Sequence, residues 1–206
     1  MNFLSLIISF AVSFALLLIA MTVHEFAHGA VAYKLGDSTA RLSGRLTLNP
    51  LAHIDPFWTI LLPLVLYLST GGRFVFGAAR PVPVNYWALK NPKRDMIWIG
   101  LAGPLANFVL AFIIAGILKF IPAQGITAGL FINLLTINVV LAIFNLIPIP
   151  PLDGSKILMG LLPEQLSQLY AEFEGYGFII LFVFIWLGIF DRLLWPLVNI
   201  VIRMMV

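Results

Sequence analysis

His24-Glu25-Phe26-Ala27-His28 sets two imidazoles four residues apart with a carboxylate beside the first. On a helix, positions i and i+4 share a face, so both rings can bind one metal ion. Glu25 projects next to that face, where it can act on a metal-activated water. The chain has three histidines and no cysteine in 206 residues, so the spacing is no by-product of a histidine-rich composition. Any metal must then be held by imidazole and carboxylate, a donor set that suits zinc. The third histidine, His53, sits among turn residues and reads as a hydrogen-bonded loop residue.

A catalytic zinc takes three protein ligands and keeps one position open. Asp153, at the edge of a long uncharged run, is the candidate third ligand. It closes the segment Asn145-Leu146-Ile147-Pro148-Ile149-Pro150-Pro151-Leu152-Asp153-Gly154. Three prolines keep this segment out of a helix. Irregular backbone at membrane depth is tolerated where it lines a polar cavity.

The elements that must carry these residues follow from composition. Hydrophobic residues make up 61% and charged residues 10% of the chain, and the mean hydropathy is +1.03. So few charges cannot cover a water-facing surface. A soluble enzyme, a disordered tail and a nucleic-acid-binding domain are excluded, and the sequence reads as an integral membrane protein. Residues 1–23, 96–118 and 120–152 carry no charge, and shorter uncharged runs cover 56–72, 175–190 and 193–202. A span needs about 20 apolar residues, which the first three runs supply. The N-terminal run has no basic flank and continues into His24, so it reads as a retained span. Residues 39–48 alternate polar and apolar around Gly44, which predicts a short β-hairpin. Residues 74–84, with two prolines, predict an extended segment.

HEFAH in the first span and NLIPIPPLDG after a later one resemble the site-2 protease family of intramembrane zinc metalloproteases (peptidase family M50). GRLTLNPLAHIDP, FGAARPVPVN and AGPLAN resemble its compact prokaryotic branch without PDZ or CBS domains. The likeness covers about residues 8–160. It implies zinc ligation by His24, His28 and Asp153, with Glu25 as catalytic base. It also implies that Asn145 holds substrate backbone, and that Asn107 contributes a polar group toward substrate. The expected fold is all-α and polytopic: a core of three transmembrane helices plus additional helices, with the hairpin and extended segments between the first two. Residues 1–206 are expected to form one membrane protease domain, with a catalytic core over about 3–160 and C-terminal helices over about 164–206.

If the three ligands share one metal, residues 35–95 begin and end on one face, and 56–72 does not fully cross. Nine of the twelve cations then lie on that face, which the positive-inside rule makes cytoplasmic. The expected location is a prokaryotic plasma membrane, with the active site toward the cytoplasm. The expected partners are the bilayer and the transmembrane helix of a substrate protein, with no nucleic acid. That helix must unwind locally before attack, and segments near 39–48 or 74–84 are expected to pair with it as an added strand. Two other readings compete: a metal transporter, and a catalytically silent membrane-binding protein. The sequence shows neither related halves nor paired half-helices, which a transporter would need. A silent zinc site would not need Glu25.

Overall fold

The computed structural model describes residues 3–69, 77–120 and 124–206. Among them the regular structure is helical, and no strand occurs. Four helical stretches are long and apolar enough to cross a membrane: Ile7–Lys34, Pro92–Leu118, Ile126–Asn145 and Glu164–Trp186. The first lies in α1 (Phe3–Lys34), and the next two are α4 (Pro92–Leu118) and α5 (Ile126–Asn145). At 1.5 Å per residue the shortest of these is about 30 Å long, the thickness of a hydrocarbon core. The chain is a multi-pass membrane protein.

The expected hairpin over 39–48 is overturned. Thr39–Leu42 forms a single helical turn, α2, and the chain reverses at Gly44 with φ of +68°. The cause lies just upstream in Asp37, whose Oδ1 accepts from the Thr39 amide at 2.9 Å and from its hydroxyl at 2.5 Å. That local turn leads into the helical one, Ala40 is fully buried, and its carbonyl accepts from both Arg45 and Leu46. A two-stranded hairpin with no third strand is marginal, and these local hydrogen bonds outweigh the alternating pattern.

Residues 56–69 are helical, with a wider π turn over Pro56–Leu61 leading into α3 (Leu62–Ser69). Leu62 N–H reaches back five residues to the Phe57 carbonyl, just before Pro63, which brings no N–H to the ladder. Fourteen helical residues span about 21 Å, short of a crossing. The rest of the 56–72 run, and residues 74–76 of the expected extended segment, lie outside the described residues. From Gly77 to Asn85 the backbone is neither helix nor strand.

Helix α4 is central: it packs on α1, on α5 and on α6 (Asp153–Leu161). The contacts use small residues, with Ala20, Ala32, Ala102, Ala111, Ala115 and Ala142 all buried. Small side chains let helix backbones approach where lipid gives no hydrophobic drive. Helix α5 stops at Asn145, three residues before the first of the clustered prolines. After α6 come α7 (Glu164–Glu172), a 3₁₀ turn and α8 (Gly177–Trp186). Gly188, at φ +67°, turns the chain into α9 (Ile189–Met205). One face of α9 carries Leu194, Val198, Val201, Ile202 and Met205 against Ala111, Ile114, Leu135 and Val139 of α4 and α5.

The segment from 35 to 91 begins and ends at the same end of the bundle. The Asp37 carboxylate accepts from Asn85 N–H at 2.7 Å, and Lys34, Lys90 and Asp95 line one small depression. Burial pushes the Asp37 carboxyl up, but the bonds from Thr39 and Asn85 outweigh this and hold it below its usual range.

Candidate metal centre

Two helices and a proline-rich loop deliver the cluster. His24 and His28 lie one turn apart on α1, at 7% and 5% exposure, and Asp153 opens α6 at 4%. The loop after α5 wraps so tightly around that first turn of α6 that a Cβ on Gly154 would meet the carbonyls of Leu146 and Ile147. Nε2 of His24 and Nε2 of His28 are 3.0 Å apart. Asp153 Oδ2 lies 2.9 Å from the first and 3.0 Å from the second. Among the described residues these three are the group of His, Asp or Glu side chains that could hold a metal ion.

Proton accounting shows what such a cluster wants. His28 Nδ1 is 2.6 Å from the Ile99 carbonyl, which can only accept, so Nδ1 carries the proton. His24 Nδ1 is 2.6 Å from Asn107 Oδ1. The Asn107 amide is oriented by its other end, where Nδ2 donates to the Ala20 carbonyl at 3.1 Å and to Asn138 Oδ1 at 2.8 Å. Asn138 in turn donates through Nδ2 to the Leu134 carbonyl at 2.8 Å. Backbone carbonyls at the far end thus decide the tautomer of His24. A neutral imidazole protonated on Nδ1 presents a bare Nε2. Two such nitrogens and a carboxylate oxygen, all within 3.0 Å, repel one another in a dry site unless a proton or a metal ion sits among them. The donor set suits zinc, with each histidine oriented by an outer partner.

Ile99, Gly103 and Asn107 stand at i, i+4 and i+8 on α4, forming one stripe against α1. The outer two hold the histidines, and the middle one leaves them room. A Cβ on Gly103 would run into both rings. Asn107 is fully buried. It lies behind His24, outside the lining of the cavity, where the resemblance implied a group facing substrate.

The cluster opens onto a cavity of about 360 Å³ lined by Glu25, Trp58, Val82, Asn145, Lys156 and Phe178, among others. Asn145 is at the wall, with Nδ2 donating to the Leu141 carbonyl at 3.0 Å. Trp58 and Phe178 stack at 5.5 Å. Glu25 Oε2 accepts from the Val82 amide at 2.8 Å. Lys156 Nζ sits 2.9 Å from Asp153 Oδ1, leaving Oδ2 to the histidines. Burial pushes the Lys156 ammonium down, and the Asp153 carboxylate outweighs this and raises it above the ordinary lysine value.

Sequence reasoning missed Asn138 and the role of Lys156. Asn138 is a polar residue inside an uncharged run, a signal in itself. Lys156 follows Asp153 by three residues, the spacing of neighbours on a helix.

A multi-spanning helical protein with a buried two-histidine, one-carboxylate acceptor cluster beside a glutamate at the cavity wall defines a class: membrane-embedded metal hydrolases of the HExxH type. The chain matches Peptidase family M50 over residues 12–134 and 122–188, and it belongs to that family. It is 41% identical to "Putative zinc metalloprotease YwhC" of Bacillus subtilis, over 89% of this chain and 84% of that protein. It is 33% identical to Rip2 of Mycolicibacterium smegmatis, which bears the same description, over 81% of this chain and 63% of that protein. "Zinc metalloprotease MJ0392" of Methanocaldococcus jannaschii is 27% identical over 79% of this chain and 38% of its own length. No solved structure matches the chain.

Proposed function

We propose that this chain is an intramembrane zinc metalloprotease in which His24, His28 and Asp153 hold the metal and Glu25 is the general base. The observation that carries this reading is the convergence of three acceptor atoms within 3.0 Å of one another, with both histidine Nδ1 protons committed elsewhere. Zinc bound there supplies Lewis acidity toward the scissile carbonyl and makes water a nucleophile at neutral pH. The Glu25 carboxylate takes a proton from the attacking water and returns it to the leaving amide nitrogen. Asn107 and the Ile99 carbonyl keep both rings in the ligating tautomer. Lys156 occupies Asp153 Oδ1, so Oδ2 would be the oxygen left to hold a metal.

The substrate class is the transmembrane helix of another membrane protein, unwound locally to reach the cavity. The cationic segment from Lys34 to Arg94, joined by Lys156, supports a cytoplasmic-side active site in a prokaryotic plasma membrane. Packing of α9 on α4 and α5 supports treating 1–206 as one membrane domain. The test is co-expression with a library of single-span reporter proteins, comparing wild type with Glu25→Gln. The reading expects members cleaved by wild type alone, with zinc retained in the variant. Cleavage by both, or by neither across the library, counts against it.

A further inference from the structure

Glu25 is held from outside its own helix, by a strap whose backbone is used in a regular way. Ala78 N–H donates to the Trp58 carbonyl at 3.1 Å, and the Ala78 carbonyl accepts from Thr59 Oγ1 at 2.7 Å. Arg80 N–H donates to the His53 carbonyl at 2.9 Å, and the Arg80 carbonyl accepts from Arg45 Nη2 at 2.5 Å. Val82 N–H donates to Glu25 Oε2 at 2.8 Å. Residues 78, 80 and 82 thus turn their polar backbone into the protein with the period of an extended chain. Prolines at 81 and 83 remove the donors on either side of Val82.

Arg45 is the last fixed point before Val82. Its Nη2 also reaches the Pro81 carbonyl at 3.3 Å, and the residue is 8% exposed. Both bonds come from one nitrogen, whose two hydrogens reach two successive carbonyls.

We propose that Arg45 is a positioning residue for Glu25. It clamps the Arg80 and Pro81 carbonyls, and this sets the Val82 amide against one carboxylate oxygen and leaves the other for proton transfer. The proposal rests on the reading of Glu25 as the general base.

Two substitutions break the same link at different places. Arg45→Met removes the clamp. Val82→Pro removes the N–H at a position already extended because a proline follows it. The first readout needs no substrate: the Glu25 carboxylate stretch, taken from the infrared difference between wild type and Glu25→Gln. Both variants shift this band alike. The second readout uses a single-span reporter that wild type cleaves. Each variant lowers kcat about ten- to hundred-fold with zinc content unchanged, and Arg45→Met leaves KM unchanged. The double variant is no slower than the slower single one, as expected for groups acting through one contact. An unmoved band in Arg45→Met, or penalties that multiply in the double variant, overturns the proposal. If Arg45→Met fails to fold, Arg45→Gln must give the same band shift, and an unmoved band there overturns it equally. Glu25→Gln that still cleaves removes the reading of the base instead, a result distinct from failure of the clamp.

Discussion

Replacing Asn107 with leucine would leave the Nδ1–H of His24 buried without an acceptor and free the ring to choose the other tautomer. Outer partners of metal-binding histidines are typically worth about ten- to hundred-fold in affinity, so Asn107→Leu should weaken zinc binding by that factor. Competition with a chromophoric chelator measures it, and an affinity equal to wild type would remove Asn107 from the centre. Asn138 is one bond further out, and it orients Asn107 rather than the ring. The sequence pointed to His24, Glu25, His28 and Asp153 because each is a rare residue type in an apolar chain. It did not separate an amide that bonds the His24 ring from one at the cavity wall. Asn107 and Asn145 are the same amide in similar runs, and only the packing of α4 on α1 distinguishes them.

The element that does most to shape the centre is α4. Gly103 faces both rings, so Gly103→Ala must push one imidazole or the whole helix aside. We expect at least tenfold weaker zinc binding and a lower melting temperature. Gly116→Ala on the same helix is the control: nothing lies within 4 Å of the added methyl, and alanine favours the helix by about 1 kcal/mol over glycine. A Gly103→Ala variant that behaves like Gly116→Ala would refute the close approach. The long helices were readable from the uncharged runs, because lipid forces their backbones to satisfy themselves. The 39–48 segment was not. Alternation over ten residues predicts a strand only if a partner exists, and the bonds between Asp37 and Thr39 decided for a helical turn. The use of residues 78–82 as a pinned strap was also invisible, since its partners His53, Trp58, Arg45 and Glu25 come from elsewhere in the chain. That pinning spends the backbone donors of Ala78, Arg80 and Val82, which strand addition by a substrate would otherwise use. Among the described residues of 39–48 there is no strand to extend either.

At the scale of the molecule, the ends of α1 and α5 and the start of α4 share one side, so the loops before Pro92 face opposite the α4–α5 turn. The chain has no cysteine, which makes it a clean background for labelling. Leu42→Cys and Trp87→Cys, at 85% and 96% exposure, and Phe120→Cys, at 90%, report the two sides. In intact cells an impermeant maleimide should label Phe120→Cys and spare the other two, and lysis should expose all three. Labelling of Leu42→Cys and Trp87→Cys from outside with Phe120→Cys spared would reverse the orientation and remove the cytoplasmic site.

The central claim is that one metal held by His24, His28 and Asp153 works together with Glu25. Its most direct test measures zinc stoichiometry and reporter cleavage on the same purified samples of wild type and Glu25→Gln. The predicted result is one zinc per chain in both, with cleavage in wild type alone, lower in the variant by at least 10². Glu25→Gln that retains zinc and cleaves at the wild-type rate would contradict it.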